Sequence, residues 1–147
     1  MNLFTIGFTQ KGAEELFSLI ENNKIDLLLD VRLNNKSQLA GFTKYPDFKF
    51  FLERICNVQY AHDILFAPTK QLLDDYKKEI ISWDAYEKKF KNLISERHIE
   101  ITFTRIIKNN FDNICLLCSE VTAEKCHRRL VAEYLQEKIP NIKIIHI

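Results

Sequence analysis

The chain has 147 residues, 46% hydrophobic and 28% charged, enough to bury a core without staples and too apolar for a disordered or low-complexity protein. Lysine and arginine total 21 against 20 for aspartate and glutamate, a net charge of +1, so no overall field draws the chain to nucleic acid or an anionic membrane; a local basic patch is left open. Its four cysteines suit reduced thiols and a cytoplasmic setting; no apolar run approaches the roughly 18 to 20 residues that span a bilayer, and Met1 leads into a strand-like segment with no basic leader or cleavage site.

Residues 3–6 followed by Gly7 read as a short buried strand ending in a turn, and Ala13, Leu16, Phe17 and Ile20 then fall on one stripe of a helix. Residues 25–29 form a nearly continuous apolar run that ends in Asp30-Val31-Arg32, the pattern of a parallel strand covered on both faces. Pro46 suits a first helical turn, with Phe48, Phe51, Leu52 and Ile55 as its apolar stripe before a short strand at 58–60. From about 69 to 107 strands disappear. Leu72, Leu73, Tyr76 and Ile80 make one helical stripe, and Trp83, Tyr86, Phe90 and Leu93 another after Ser82, a cap residue. Residues 99–107 fit both periods and are taken as helix. Residues 114–118 are the second strongly buried strand, a loop and a helix over about 122–138 follow, and 142–146 form the last strand. The alternation predicts one α/β domain over 1–147: a three-layer sandwich with a mainly parallel central sheet of about five strands and a helical insertion over about 69–107. In such sheets ligands bind beyond the carboxyl ends of the strands, which here carry Gly7, Asp30 to Arg32, Tyr60, and Cys118 to Glu120.

Thr5-Ile6-Gly7, Asp30-Val31-Arg32, Ser37, Leu116-Leu117-Cys118-Ser119-Glu120 and Cys126-His127-Arg128 together resemble the domain-of-unknown-function 488 family, over essentially the whole chain. The resemblance implies an α/β sandwich and a cytoplasmic protein, mostly bacterial or archaeal, and brings no established reaction with it. The chain departs from the family pattern twice. Phe8-Thr9 stands where His-Ser is usual after the first glycine, and Leu65-Phe66-Ala67 where Leu-Gly-Gly is usual after the third strand. The first change removes a titratable group while Thr9 keeps a hydroxyl; the second removes a flexible loop.

Asp30 and Arg32 have two readings. Arg32 is a fork for phosphate or carboxylate, oriented by Asp30, or the two are a structural ion pair tying a loop to the sheet. Cys118 ends a strand and Cys126 begins a helix, whose dipole and free N–H groups favour a thiolate and bind anions; buried cysteine also serves as a small hydrophobe. Cys115, Cys118, Cys126 and His127 look like zinc ligands, but strand parity sends Cys115 and Cys118 to opposite faces, so no metal is expected there. No arginine follows Cys118 until Arg128, ten residues on, which argues against a cysteine-phosphatase or rhodanese loop. His127 points inward beneath Leu130 and Val131 as a buried, satisfied histidine, Arg128 sits near the edge of that stripe, and Arg129 pairs with Glu133 at the surface.

The leading expectation is an anion pocket for a phosphate, nucleotide or nucleic-acid end at the carboxyl edge of the sheet. Its catalytic candidates are Cys118, Glu120 and Cys126. Its binding candidates are Gly7, Thr9, Asp30, Arg32, Ser37, Tyr60, His127 and Arg128. No motif asks for a cofactor. The alternative is a non-catalytic module for nucleic acid or a protein partner, drawing on the aromatic and basic residues Phe42, Lys44, Tyr45, Lys49 and Phe51, and the sequence leaves open whether the chain is an enzyme.

Overall fold

A computed structural model describes all 147 residues. Five parallel strands, β1 (Asn2–Gly7), β2 (Leu27–Asp30), β3 (Gln59–His62), β4 (Asn113–Cys118) and β5 (Lys143–His146), form one sheet in the order β3-β2-β4-β1-β5. The helices are α1 (Ala13–Asn22), α2 (Asp47–Phe51, continued by a wider turn over Leu52–Cys56), α3 (Lys70–Lys77), α4 (Trp83–Glu96), α5 (Ile99–Ile107) and α6 (His127–Lys138). The expected α/β class, parallel sheet and helical stretch are therefore present, and residues 99–107 are helix. No helix is long and apolar enough to cross a membrane.

Strand alternation divides the core in two. Leu3, Leu27, Leu29, Ile114, Leu116 and Cys118 face α3 to α6 on one side, while Phe4, Ile6, Leu28, Cys115 and Leu117 face α1 and α2 on the other. Cys115 and Cys118 thus lie in different cores, as their odd separation requires. Ser82 accepts the Ala85 N–H at 3.2 Å and Thr69 the Leu72 N–H at 3.2 Å, so α4 and α3 start where a side-chain oxygen satisfies a free donor.

Several boundaries differ from the sequence reading. β1 runs through Gly7 without turning. Beyond it the Phe8 N–H donates to the Cys118 carbonyl at 3.3 Å and the Thr9 N–H to the Ser119 carbonyl at 3.1 Å, so the chain follows the course of β4 past its end. β3 spans Gln59–His62 rather than 58–60. α6 begins at His127 rather than near 122, because residues 119–126 curl into turns whose carbonyls serve another partner. The Leu65-Phe66-Ala67 departure makes a tight, anchored turn. Phe66 packs edge-on against Phe103 with ring centroids 6.3 Å apart, and Arg97 Nη1 donates to the carbonyls of Ile64, Leu65 and Ala67.

Candidate functional site

β4 is the central strand, with Gly7 beside Cys118 on one flank and Asp30 beside Leu117 on the other. The carboxyl ends of β1, β2 and β4 therefore open together. Above them, α3, α4 and the loop before α6 enclose a cleft of about 430 Å3. The structure brings Thr9, Arg32, Ser37, Cys118, Glu120, Cys126 and His127 to its wall, seven of the residues singled out from sequence. Gly7, Asp30 and Arg128 lie behind that wall, and Tyr60 lines a separate hollow with Asn35, Lys36, Tyr45, Lys49 and His62.

Cys118, the last residue of β4, lines the cleft. Its thiol pKa is held below the ordinary value, first by the S–H of Cys126, then by the backbone N–H groups of Ser119 and Glu120 and the charge of Arg128, all working against burial. Cys126 moves the opposite way, pushed well up by its neighbour's sulfur and by burial. The two thiols are therefore shifted in opposite directions, Cys118 toward easier ionisation and Cys126 toward keeping its proton. Cys115, sealed in the other core, has its pKa raised by burial.

Arg128 is 1% exposed, not at the edge of the helical stripe. The first turn of α6 is driven against the sheet end and is enclosed on that side too. Its Nη1 donates to the Glu120 carbonyl at 2.6 Å and its Nη2 to the Val121 carbonyl at 3.3 Å, while Nε has no partner. No carboxylate pairs with it. No carboxylate balances this buried cation, and its charge is one of the influences that lower the Cys118 pKa. Glu120 thus works through its backbone at the base of the cleft, and its exposed side chain stands at the rim. Arg129, by contrast, pairs with Glu133 and also with Glu87.

Of the two readings of Asp30 and Arg32, the geometry is that of an ion pair. Arg32 Nε and Nη2 donate to the two carboxylate oxygens at 2.8 and 2.6 Å, and the Arg32 N–H adds a third bond at 3.1 Å. The remaining donors reach the Thr43 hydroxyl and carbonyl, and the Phe8 ring lies 5.1 Å below the guanidinium. Phe8, replacing the family's usual histidine, is therefore a lid on this pair. The Tyr60 hydroxyl donates to Asp30 at 2.8 Å; burial and the Asp30 charge push its pKa up, which keeps the proton in place for that bond.

His127 is fixed by its Nε2, which lies 2.8 Å from the Val31 carbonyl and so carries the proton. Cys118 Sγ is 3.6 Å from Nδ1 and 3.8 Å from Nε2. Near-equal distances put the sulfur off the line of the Nδ1 lone pair. The Cys118 and Cys126 sulfurs and a His127 nitrogen lie within 4.8 Å of one another.

Sequence reasoning missed the aromatic wall. Trp83 and Tyr86 stack at 5.2 Å and 24°, with Tyr76 5.0 Å from Tyr86, and they line the cleft together with Leu33, Leu39, Pro68, Lys77 and Lys125. Their helical spacing was visible, but it equally fits a stripe packed on the core. Thr43, the buried partner of Arg32, carried no signal at all.

Comparison with curated proteins finds no match, and comparison with solved structures finds none either. A family model described as "Domain of unknown function DUF488" matches residues 12–135, from just before α1 to near the end of α6, with both the Asp30-Arg32 pair and the segment from Cys118 to Arg128 inside it. The chain belongs to the DUF488 family.

Proposed function

We propose that the cleft is a thiol-dependent active site in which Cys118 is the nucleophile and the substrate is a small anionic molecule bearing a flat ring, such as a nucleotide or nucleic-acid end offers. The observation that carries this reading is the placement of Cys118 at the base of the cleft, at the end of the central strand, among donors and a buried arginine that favour its thiolate. Cys126, its pKa pushed up, stays a thiol beside it, and the Glu120 carboxylate at the rim is the group positioned to exchange protons with a bound ligand. Both arginines are committed to protein partners, so the anionic part of the ligand falls to Lys77 and Lys125 and to the hydroxyls of Thr9, Ser37 and Ser119. The ring falls to Trp83 and Tyr76, whose faces supply area at little entropic cost.

Protection from alkylation tests this. Iodoacetamide labelling of Cys118 should slow several-fold as a nucleoside 5′-monophosphate is added, and the effect should weaken in Lys77→Ala/Lys125→Ala. Labelling that no concentration of phosphate or nucleotide slows removes the ligand class.

A second reading, a module that binds single-stranded nucleic acid without catalysis, draws on the other hollow. There Tyr45 stacks on Tyr60 at 6.3 Å and 25°, beside Lys36 and Lys49. Salt-dependent oligonucleotide binding that Lys36→Ala/Lys49→Ala abolishes and Cys118→Ser leaves alone favours that module.

A further inference from the structure

Two of the four cysteines meet at the base of one open cleft, and a single nucleophile uses only one of them. Cys118 sits on the last residue of β4 and Cys126 on the residue that precedes α6. Their sulfurs lie within 4.8 Å, although both residues are almost fully buried and both line the cleft. Between them the chain runs through turns in which Glu120, Val121, Thr122, Glu124 and Lys125 are exposed. Two rigid anchors joined by a solvent-facing loop let the sulfurs close to the roughly 2.05 Å of a disulfide by side-chain rotation and small loop shifts.

We propose that Cys118 and Cys126 form a dithiol–disulfide centre whose oxidising substrate is a small organic disulfide entering the cleft. The proposal rests on the reading of Cys118 as a reactive thiol and adds a second residue and a reaction class to it. In the first step the Cys118 thiolate attacks one sulfur of R–S–S–R. The substrate S–S bond breaks, one RS⁻ leaves with the bonding pair and takes a proton from water, and Cys118 carries S–R. In the second step Cys126 gives up its proton to solvent and attacks the Cys118 sulfur. The bond to S–R breaks and the second RS⁻ leaves and is protonated. Two protein thiols have lost two electrons and become one disulfide; one external disulfide has gained them and become two thiols. A dithiol in solution reverses the sequence.

The unequal protonation of the pair fits these roles. The attacking sulfur is the one whose pKa is lowered, and the resolving sulfur, whose pKa is pushed up beside it, is released from that push once Cys118 has been capped. Cys115 takes no part, because it faces the opposite core and is 0% exposed.

The test uses the full chain with Cys56→Ser, which removes the half-buried thiol outside the site. After treatment with hydroxyethyl disulfide, intact mass should show a chain lighter by two hydrogens and carrying no adduct. A non-reducing peptide map should join Cys118 to Cys126. Iodoacetamide labelling of Cys118 should disappear and return with dithiothreitol. Adding Cys126→Ser, or Cys126→Ala if the serine variant folds poorly, should trap one adduct per chain at Cys118. A stable adduct on the chain that retains Cys126, or an unmodified mass while iodoacetamide still labels Cys118 quickly, overturns the exchange and leaves the proposed nucleophile standing. Failure of iodoacetamide to label Cys118 at all overturns both.

Discussion

A Cβ built on Gly7 would lie 1.6 Å from the carbonyl oxygen of Glu120, so β1 and the loop after β4 meet with only a hydrogen between them. That same carbonyl accepts the Arg128 Nη1 bond at 2.6 Å. Gly7 therefore sets where the loop, the arginine and the sulfur sit relative to one another.

Gly7→Ala must push the 119–121 backbone away. Overpacking of this kind costs about 3 kcal/mol. Urea unfolding should register that loss, and alkylation of Cys118 should slow at neutral pH because the loop N–H groups and Arg128 are displaced from the sulfur. A variant as stable as the parent contradicts the contact.

Asp30 is 0% exposed and Arg32 3% exposed, so neither charge can be left alone. Arg32→Ala and Asp30→Ala should each cost about 3–5 kcal/mol, the penalty for stranding one partner of a buried pair. The loss should be the same with and without added phosphate. A small stability change, or a phosphate-dependent melting shift in the parent that Arg32→Ala removes, points instead to a ligand-binding arginine.

Arg128 lends its charge to Cys118. Arg128→Met should raise the pH at which Cys118 is half-maximally alkylated by about one unit, and Arg128→Lys should recover part of that shift, since both retain the stem and only lysine retains the charge. Arg129→Ala is the control. Its guanidinium is paired with Glu87 and Glu133, and its loss should leave the Cys118 profile unchanged.

The sequence made the frame of the site legible because strand physics is periodic. Continuous apolar runs marked β2 and β4, their ends named Asp30 to Arg32 and Cys118 to Glu120, and parity separated Cys115 from Cys118. Helix spacing carried less. Tyr76, Trp83 and Tyr86 make the same stripe whether they pack on a core or edge a cleft, and only the docking of α3 and α4 over the sheet decides. Helical spacing puts Arg128 at a stripe edge, yet the angle at which α6 enters the sheet end buries it, and no spacing encodes that angle. The start of α6 is not legible in the sequence, because nothing local shows that the carbonyls of Glu120 and Val121 are turned toward a side chain eight and seven residues on. The two departures from the family pattern became intelligible only as packing: Phe8 under Arg32, and Phe66 with Ala67 in a turn held by Arg97.

Ease of ionisation sets Cys118 apart as the nucleophile, and Cys56 provides a reference in the same molecule. Burial and the Glu21 charge push the Cys56 thiol up to about 11, whereas Cys118 is held below the ordinary thiol value of 9.0. A lowered pKa means that the thiolate persists as pH falls and is lost only when pH drops through the lowered value. Iodoacetamide alkylation followed by site-resolved mass spectrometry across pH 5 to 10 should therefore label Cys118 well before Cys56 at neutral pH, with a half-maximum below that of a free thiol. A Cys118 profile that rises together with Cys56, or only above it, contradicts the assignment of Cys118 as the nucleophile.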